Sequence, residues 1–178
     1  MHANTSYMAT RKIMAIIGAN SKIGALLAER MALTYDLLLM DSSSDELMAL
    51  TNFIRLQQPA TNVNSLACSR EASWEADVIV VAAAMEQLPA IAEKIKEVTN
   101  RKPVIHFSPA GAATTTLQEL LPHANVVVAE LETAASTDRL QKVVRLGGVD
   151  KEALKLASEI LARSFATILY LASLAKAT

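Results

Sequence analysis

The sequence contains few of the residues that point directly to a particular chemistry. Among 178 residues there are one cysteine, five glycines and three histidines, and aromatic residues make up 4%. The single cysteine, Cys68, can form neither an internal disulfide nor a structural zinc site, so we expect a protein of the reducing cytoplasm. His2 and His123 are isolated and no metal-binding spacing occurs, so we expect no metal site.

Neither sign of charge dominates, and no apolar run is long. Seventeen basic residues balance 18 acidic ones, which excludes a strongly basic nucleic-acid-binding protein. The longest apolar stretches, such as Val78–Met85, fall far short of the roughly 20 residues that a membrane-spanning helix needs. We therefore expect neither a nucleic-acid partner nor a membrane partner. Residues 1–10 show no signal-peptide pattern and are expected to be a flexible lead.

The rest of the sequence alternates between short apolar runs and segments with helical spacing. Runs that are apolar on both faces are typical of strands inside a parallel sheet covered by helices. The predicted strands are Lys12–Ile17, Tyr35–Met40, Asn62–Ala67, Val78–Ala82, Pro103–Phe107, Asn125–Ala129 and Ala166–Tyr170. The predicted helices are one that begins at Ser21, Ser44–Leu56, Met85–Val98, Thr114–Leu121 and Lys151–Arg163, with a turn at Ser73–Asp77 and an irregular stretch at Glu130–Leu140. Residues 11–178 are thus expected to form a single α/β domain, a doubly wound, mostly parallel sheet with helices on both faces.

A glycine-containing turn follows the first predicted strand and begins a helix. In this context, backbone N–H groups and a helix N-terminus can bind a phosphate. Gly18 would allow the tight turn, Asn20 or Ser21 would allow the approach of a pyrophosphate, and Gly24 would allow close packing of the helix on the strand. The spacing Gly18-x-x-Ser21-x-x-Gly24 is a variant of the usual G-x-G-x-x-G pattern. The alternative is that both glycines are turn residues only.

Asp41 lies at the end of the second predicted strand, where a carboxylate can accept a hydrogen bond from an adenosine ribose. Its charge would repel a 2′-phosphate. Ser42, Ser43 and Ser44 could donate hydrogen bonds to such a phosphate, but no Arg or Lys accompanies them. NAD(H) is therefore favoured over NADP(H), although these residues could instead cap the next helix.

Four segments resemble the deazaflavin (coenzyme F-420) dependent NADP oxidoreductase family: Ile13–Gly18, Ala76–Ala82, Leu121–Val127 and Val144–Ala153. The resemblance implies a single Rossmann-like domain that binds NAD or NADP and moves hydride between its nicotinamide and a small-molecule acceptor. Asp41 stands where members of that family use a basic residue to bind a 2′-phosphate, and Ala83-Ala84-Met85 stands where a proline is common. Because of these two departures, the resemblance does not identify the acceptor. From the turn, the second strand and the resemblance together, the predicted cofactor-binding residues are Gly18, Asn20, Ser21, Lys22, Ile23, Gly24, Asp41, Ser42, Ala83 and Ala84.

No catalytic residue can be identified. No tyrosine is followed four residues later by lysine, and His106 lies inside a predicted strand, where a structural role is expected. Ser108-Pro109-Ala110-Gly111 follows that strand and could contact a substrate. Glu130 and Glu132 are expected to be surface residues of a loop.

Two functions stay open, an NAD(P)-dependent oxidoreductase and a non-catalytic nucleotide sensor or scaffold. The resemblance favours the oxidoreductase, whose substrate site could be completed by a second copy of the chain. We therefore expect a homo-oligomer, in the simplest case a homodimer. The apolar segment Phe165–Ala172 could form the interface, although a buried last strand would also explain it.

Overall fold

The computed structural model describes residues 11–109, 116–133, 142–165 and 167–170. Eight strands and six α-helices occur in these ranges. The strands are β1 (Ile13–Ile17), β2 (Asp36–Met40), β3 (Val63–Ser65), β4 (Val78–Val81), β5 (Pro103–Pro109), β6 (Asn125–Thr133), β7 (Lys142–Gly148) and β8 (Thr167–Tyr170). The helices are α1 (Lys22–Met31), α2 (Ser44–Gln57), α3 (Ser69–Glu75), α4 (Leu88–Ile95), α5 (Thr116–Leu120) and α6 (Lys151–Leu161), and a 3-10 turn (Met85–Gln87) precedes α4.

The strands form one sheet in the order β3-β2-β1-β4-β5-β6-β7-β8. Every neighbouring pair is parallel except β6 and β7, which run antiparallel. This confirms the expected doubly wound, mostly parallel sheet. The chain passes from β1 outward to β2 and β3 and then crosses back to β4, so the strand order reverses between β1 and β4. In such sheets, ligands bind outside the carboxyl ends of the strands at this reversal.

Helices cover both faces of the sheet, as predicted. Alternate strand residues point to opposite faces, so Met14 and Ile16 of β1 pack in one core cluster while Ala15 and Ile17 pack in the other. The first face is covered by α1, α2 and α6, and the second by α3, α4 and α5. The central strands are therefore buried on both sides, which explains their uninterrupted apolar sequences.

Two predictions about local structure are wrong. The segment predicted as a turn at Ser73–Asp77 belongs in part to α3, whose buried residues are small. The Lys102 ammonium stabilises the end of α3 by donating hydrogen bonds to the carbonyl oxygens of Ser73 (2.8 Å) and Trp74 (2.6 Å). The stretch Glu130–Leu140 is not irregular throughout, because β6 continues to Thr133 and pairs with β7. Residues 134–140, the lead 1–10 and residues 171–178 lie outside the described ranges.

The predicted element boundaries also shift. The helix predicted over Met85–Val98 is a 3-10 turn followed by α4, and Pro89 lies in the first turn of α4, where its missing N–H costs no hydrogen bond. No helix in the described ranges is long and apolar enough to cross a membrane.

Candidate functional site

Gly18 lies at the carboxyl end of β1, where the chain passes between β2 and β4. Its backbone has a φ of +83°, which favours glycine. A Cβ atom at this position would lie 2.7 Å from the carbonyl carbon of Ala82, the residue after β4. The N–H groups of Gly18 and Ala19 both donate to the carbonyl oxygen of Met40, at 2.9 and 3.0 Å. The turn is therefore closely packed against the ends of both neighbouring strands.

Ser21 caps the N-terminus of α1. Its hydroxyl accepts a hydrogen bond from the Gly24 N–H at 3.0 Å and donates one to the Gly18 carbonyl at 2.8 Å. A Cβ atom on Gly24 would collide with the Gly18 carbonyl oxygen. The two glycines thus allow α1 to begin directly against the turn, in the arrangement that the sequence predicted.

The first N–H groups of α1 are only partly satisfied. The Ser21 N–H donates to the Gly18 carbonyl oxygen at 3.1 Å, and the Gly24 N–H donates to Ser21. Within the described ranges, no hydrogen bond accounts for the N–H groups of Lys22 and Ile23. The first turn of α1 contains no acidic side chain, and the helix dipole places partial positive charge there. This end of α1 can therefore bind an anion through two backbone N–H groups.

Asp41 connects the end of β2 to the glycine turn. One carboxylate oxygen, Oδ2, accepts the Asn20 N–H at 2.9 Å, and Oδ1 accepts the N–H and hydroxyl of Ser42 at 2.7 and 3.2 Å. The Asn20 side-chain amide donates to the Ser43 carbonyl at 3.1 Å, which adds a second link between the same segments. Because a carboxylate oxygen accepts two hydrogen bonds, Oδ2 keeps one acceptor position.

An open groove of about 1540 Å³ runs along the carboxyl ends of β1 to β4 and down between α3 and α4. Seven of the ten predicted cofactor-binding residues line it: Gly18, Asn20, Ser21, Asp41, Ser42, Ala83 and Ala84. Of the other three, Gly24 is buried beneath the turn, and Lys22 and Ile23 offer the two backbone N–H groups. The structure therefore brings the turn, the end of β2 and the end of β4 to one groove.

Sequence reasoning missed one wall of this groove. The segment Ser65–Arg70, which runs from the last residue of β3 into the first turn of α3, lines it together with residues of α4 such as Ile91. Arg70 brings a positive charge to the groove, but its guanidinium is paired with the Glu97 carboxylate at 2.9 Å. The sequence carried no signal for this wall, because the segment has neither a motif nor helical spacing.

His106 lies inside β5 and is only 3% exposed. Its ring Nδ1 lies 3.4 Å from the carbonyl oxygen of Val81, and Nε2 has no partner within the described residues. Burial lowers the pKa of His106, and the Val81 carbonyl only partly opposes this effect. The ring is therefore neutral near pH 7, which fits the structural role expected from the sequence.

A row of polar residues crosses the sheet at the ends of β5 and β6. Ser108 pairs in register with Glu130, and Glu130 pairs with Arg145 of β7. Ser108 and Glu130 are both buried, and the Ser108 hydroxyl donates to the Pro109 carbonyl at 3.3 Å. Glu130 is thus a strand residue, not the exposed loop residue that the sequence suggested. Ala110, Gly111 and the side chain of Glu132 lie outside the described part of the chain.

No group of three or more His, Cys, Asp or Glu side chains in the described residues could hold a metal ion. No model of a known protein family matches the sequence, and no curated protein matches it. Many solved structures, in contrast, share the arrangement of strands and helices. The fold is Rossmann-like.

Three of these solved structures illustrate the similarity in fold. Pyrroline-5-carboxylate reductase from Coxiella burnetii has a TM-score of 0.68 and 23% identity, over 93% of this chain and 60% of that protein. Prephenate dehydrogenase from A. aeolicus, solved with hydroxyphenyl propionate and NAD+, has a TM-score of 0.69 and 13% identity, over 93% and 61%. A protein from Arthrobacter sp. FB24, provisionally described as an F420-dependent NADP reductase, has a TM-score of 0.66 and 16% identity, over 92% and 86%.

The present chain spans only about 60% of the length of the first two proteins. At these identities, the similarity establishes the fold of the chain.

Proposed function

We propose that this domain binds a nicotinamide dinucleotide along the carboxyl ends of β1, β2 and β4 and provides the cofactor site of an oxidoreductase. The observation that carries the proposal is the pair of N–H groups on Lys22 and Ile23, which face no acceptor in the described residues. They lie beside a glycine turn with no room for a Cβ atom at Gly18. Helix N-termini with this geometry bind the pyrophosphate of dinucleotides. The similar structures, one of which contains NAD+, support the same cofactor class.

The residues present fit such a cofactor. The N–H groups of Lys22 and Ile23 would bind the pyrophosphate, and the free acceptor position on Asp41 Oδ2 would accept a ribose hydroxyl. The other half of the cofactor would extend past Ala83 and Ala84 toward β5. When bound, the nicotinamide supplies the hydride or accepts it. The protein contributes binding and orientation, which account for much of the catalysis when no proton has to be transferred.

NAD(H) is the favoured form of the cofactor in this proposal. The Asp41 carboxylate would lie beside the adenosine ribose and would repel a 2′-phosphate. Arg70 is the basic residue of the β3-α3 wall, and the Glu97 carboxylate already neutralises its charge. A 2′-phosphate would therefore be repelled by Asp41, and the paired Arg70 would offer it little compensating positive charge.

The acceptor would lie over the ends of β5 and β6, near Ser108. The resemblance to the deazaflavin-dependent family and the similar protein from Arthrobacter sp. FB24 make a deazaflavin one acceptor to test. Hydride transfer to such a ring requires no protein acid, and the neutral, buried His106 is poorly suited to be one.

Calorimetric titration with NADH and NADPH tests the cofactor proposal, with Asp41→Asn as the variant. The wild-type chain should bind NADH more tightly than NADPH. The introduced amide would keep an acceptor for the Asn20 N–H but lose the charge, so NADH binding should weaken about tenfold, the usual effect of removing one charged hydrogen bond. NADPH binding should weaken less, and the preference should shrink. Ser43→Ala is a control, because Ser43 contributes its carbonyl and no side-chain cap.

The possible outcomes separate the parts of the proposal. Failure of folded wild-type protein to bind either nucleotide would remove the cofactor assignment. Tighter binding of NADPH than NADH would contradict the preference alone. Binding without oxidation of NADH by a deazaflavin or by imine and ketone acceptors would favour the non-catalytic sensor or scaffold.

A further inference from the structure

The two edges of the sheet differ in how they are protected. At one edge, β3 has only three residues, and the Arg55 guanidinium of α2 covers it. Arg55 Nε donates to the Val63 carbonyl oxygen, and an Arg55 Nη donates to the Asn64 side chain, both at 2.9 Å. Covering backbone groups with a charged side chain is a usual way to prevent pairing at a sheet edge.

At the opposite edge, β8, no side chain of the described residues gives such protection. Among the described strands, β8 pairs with β7 alone, so half of its backbone N–H and C=O groups point away from the sheet. Leu169 and Tyr170 are 44% and 61% exposed. The strand contains neither a charged residue nor a proline, and the sequence from Phe165 to Ala175 is uncharged throughout. The free backbone groups of an exposed, apolar, uncharged edge strand can pair with a strand of another chain.

We propose that β8 pairs antiparallel with β8 of a second copy of this chain, so that the two sheets become one. A two-fold axis normal to the sheet makes the two copies of β8 run antiparallel. Each face of one sheet then continues into the same face of the other, so residues opposite each other across the axis must point to the same face. Centred at Leu169, this axis places Leu169 opposite its own counterpart and Ile168 opposite Tyr170. The result is one leucine pair flanked by two pairs of an aromatic and a β-branched side chain, a favourable cross-strand combination.

The absence of charge favours a second copy as the occupant. Across a two-fold axis, a strand meets its own residues, so a charged residue near the axis would face a like charge. The described strand Thr167–Tyr170 contains none, and the whole chain carries a formal net charge of only −1, which gives little long-range repulsion between copies. The interface also leaves the groove over β1 to β4 open, because it lies at the other end of the strand order.

Light scattering after size exclusion tests the proposal on the full chain. The wild type should elute with the mass of a dimer. Leu169→Lys would place two ammonium groups opposite each other at the axis and should give a folded monomer, with unchanged circular dichroism. Leu56→Lys is the matched control, because Leu56 is also exposed but lies on α2 beside the β3 edge. It should remain a dimer.

A cross-link tests the register and does not depend on the lysine variant folding. In a Cys68→Ser background, Leu169→Cys should form a disulfide-linked dimer on mild oxidation, whereas Leu56→Cys should not. A wild-type monomer at all concentrations would overturn the proposal. So would a dimer that Leu56→Lys dissociates and Leu169→Lys leaves intact.

Discussion

Gly18 lines the groove and leaves no room for a side chain. The change Gly18→Ala would force an alanine into left-handed backbone geometry and press its Cβ atom against the Ala82 backbone. These two effects should lower the free energy of unfolding by about 2 to 5 kcal/mol. Urea unfolding would measure the loss, and titration would show weaker nucleotide binding, because relaxation of the turn moves the N–H groups of α1.

A suitable control is Gly148→Ala at the end of β7. There, the added Cβ atom would lie 3.0 Å from the Val126 carbonyl oxygen, which a small backbone shift can relieve, and the residue does not line the groove. We expect a smaller loss of stability and unchanged nucleotide binding. Equal binding by both alanine variants would contradict the role assigned to the turn.

His106 should make stability depend on pH. Burial lowers its pKa in the folded state below the ordinary value of 6.5, so the unfolded chain takes up a proton first as the pH falls. The neutral His106 ring therefore makes its full contribution to stability above pH 6.5. This contribution is lost as the pH falls through the lower pKa of the folded state. The slope should not exceed about 1.4 kcal/mol per pH unit, the limit for one proton.

Urea unfolding of wild type and His106→Leu between about pH 8 and pH 5 would isolate this dependence. Leucine is close in size and removes the unpartnered Nε2 atom, so the variant should fold at neutral pH. The difference in unfolding free energy between the two proteins should change only below about pH 6.5. A constant difference across the range would show that His106 does not cause the effect.

At the level of elements, the helix caps offer a matched comparison. The Asp150 carboxylate caps α6 by accepting the Ala153 N–H at 2.7 Å, whereas Ser43 at the start of α2 makes no side-chain cap. Asp150→Ala should therefore cost about 1 kcal/mol of unfolding free energy, and Ser43→Ala should cost almost none. Thermal unfolding of the two variants measures both values, and similar losses would contradict the assignment.

The sequence predicted some elements well because their burial leaves a clear pattern. The apolar strands β1, β2 and β4 lie between two layers of helices, so nearly every residue between two polar turns is apolar. Helix α3 leaves no such pattern, because it buries Ser69, Ala72 and Ser73, which are small or polar. The end of β6 was missed because two glutamates interrupt its apolar run. Their strand conformation is set by pairing with β7, a contact between separate segments.

At the level of the whole molecule, topology limits what the sequence can show about the groove. Gly18, Asn20, Ser21 and Asp41 were predictable because they lie within one strand-helix-strand unit. Arg70 was not, since it reaches the groove only because β3 lies beside β2 in the assembled sheet. The antiparallel direction of β7 relative to β6 could not be predicted either, because the direction in which two strands pair is not encoded in either strand alone.

The position of β1 between β2 and β4 has a consequence for synthesis on the ribosome. After β2 has been made, one side of β1 has no neighbour until β4 follows about 40 residues later. At about 5 to 20 residues per second, this delay is about 2 to 8 s. During that time, the nascent chain presents the apolar edge of β1 to other chains and to chaperones. Aggregation during expression should therefore begin in the first half of the chain.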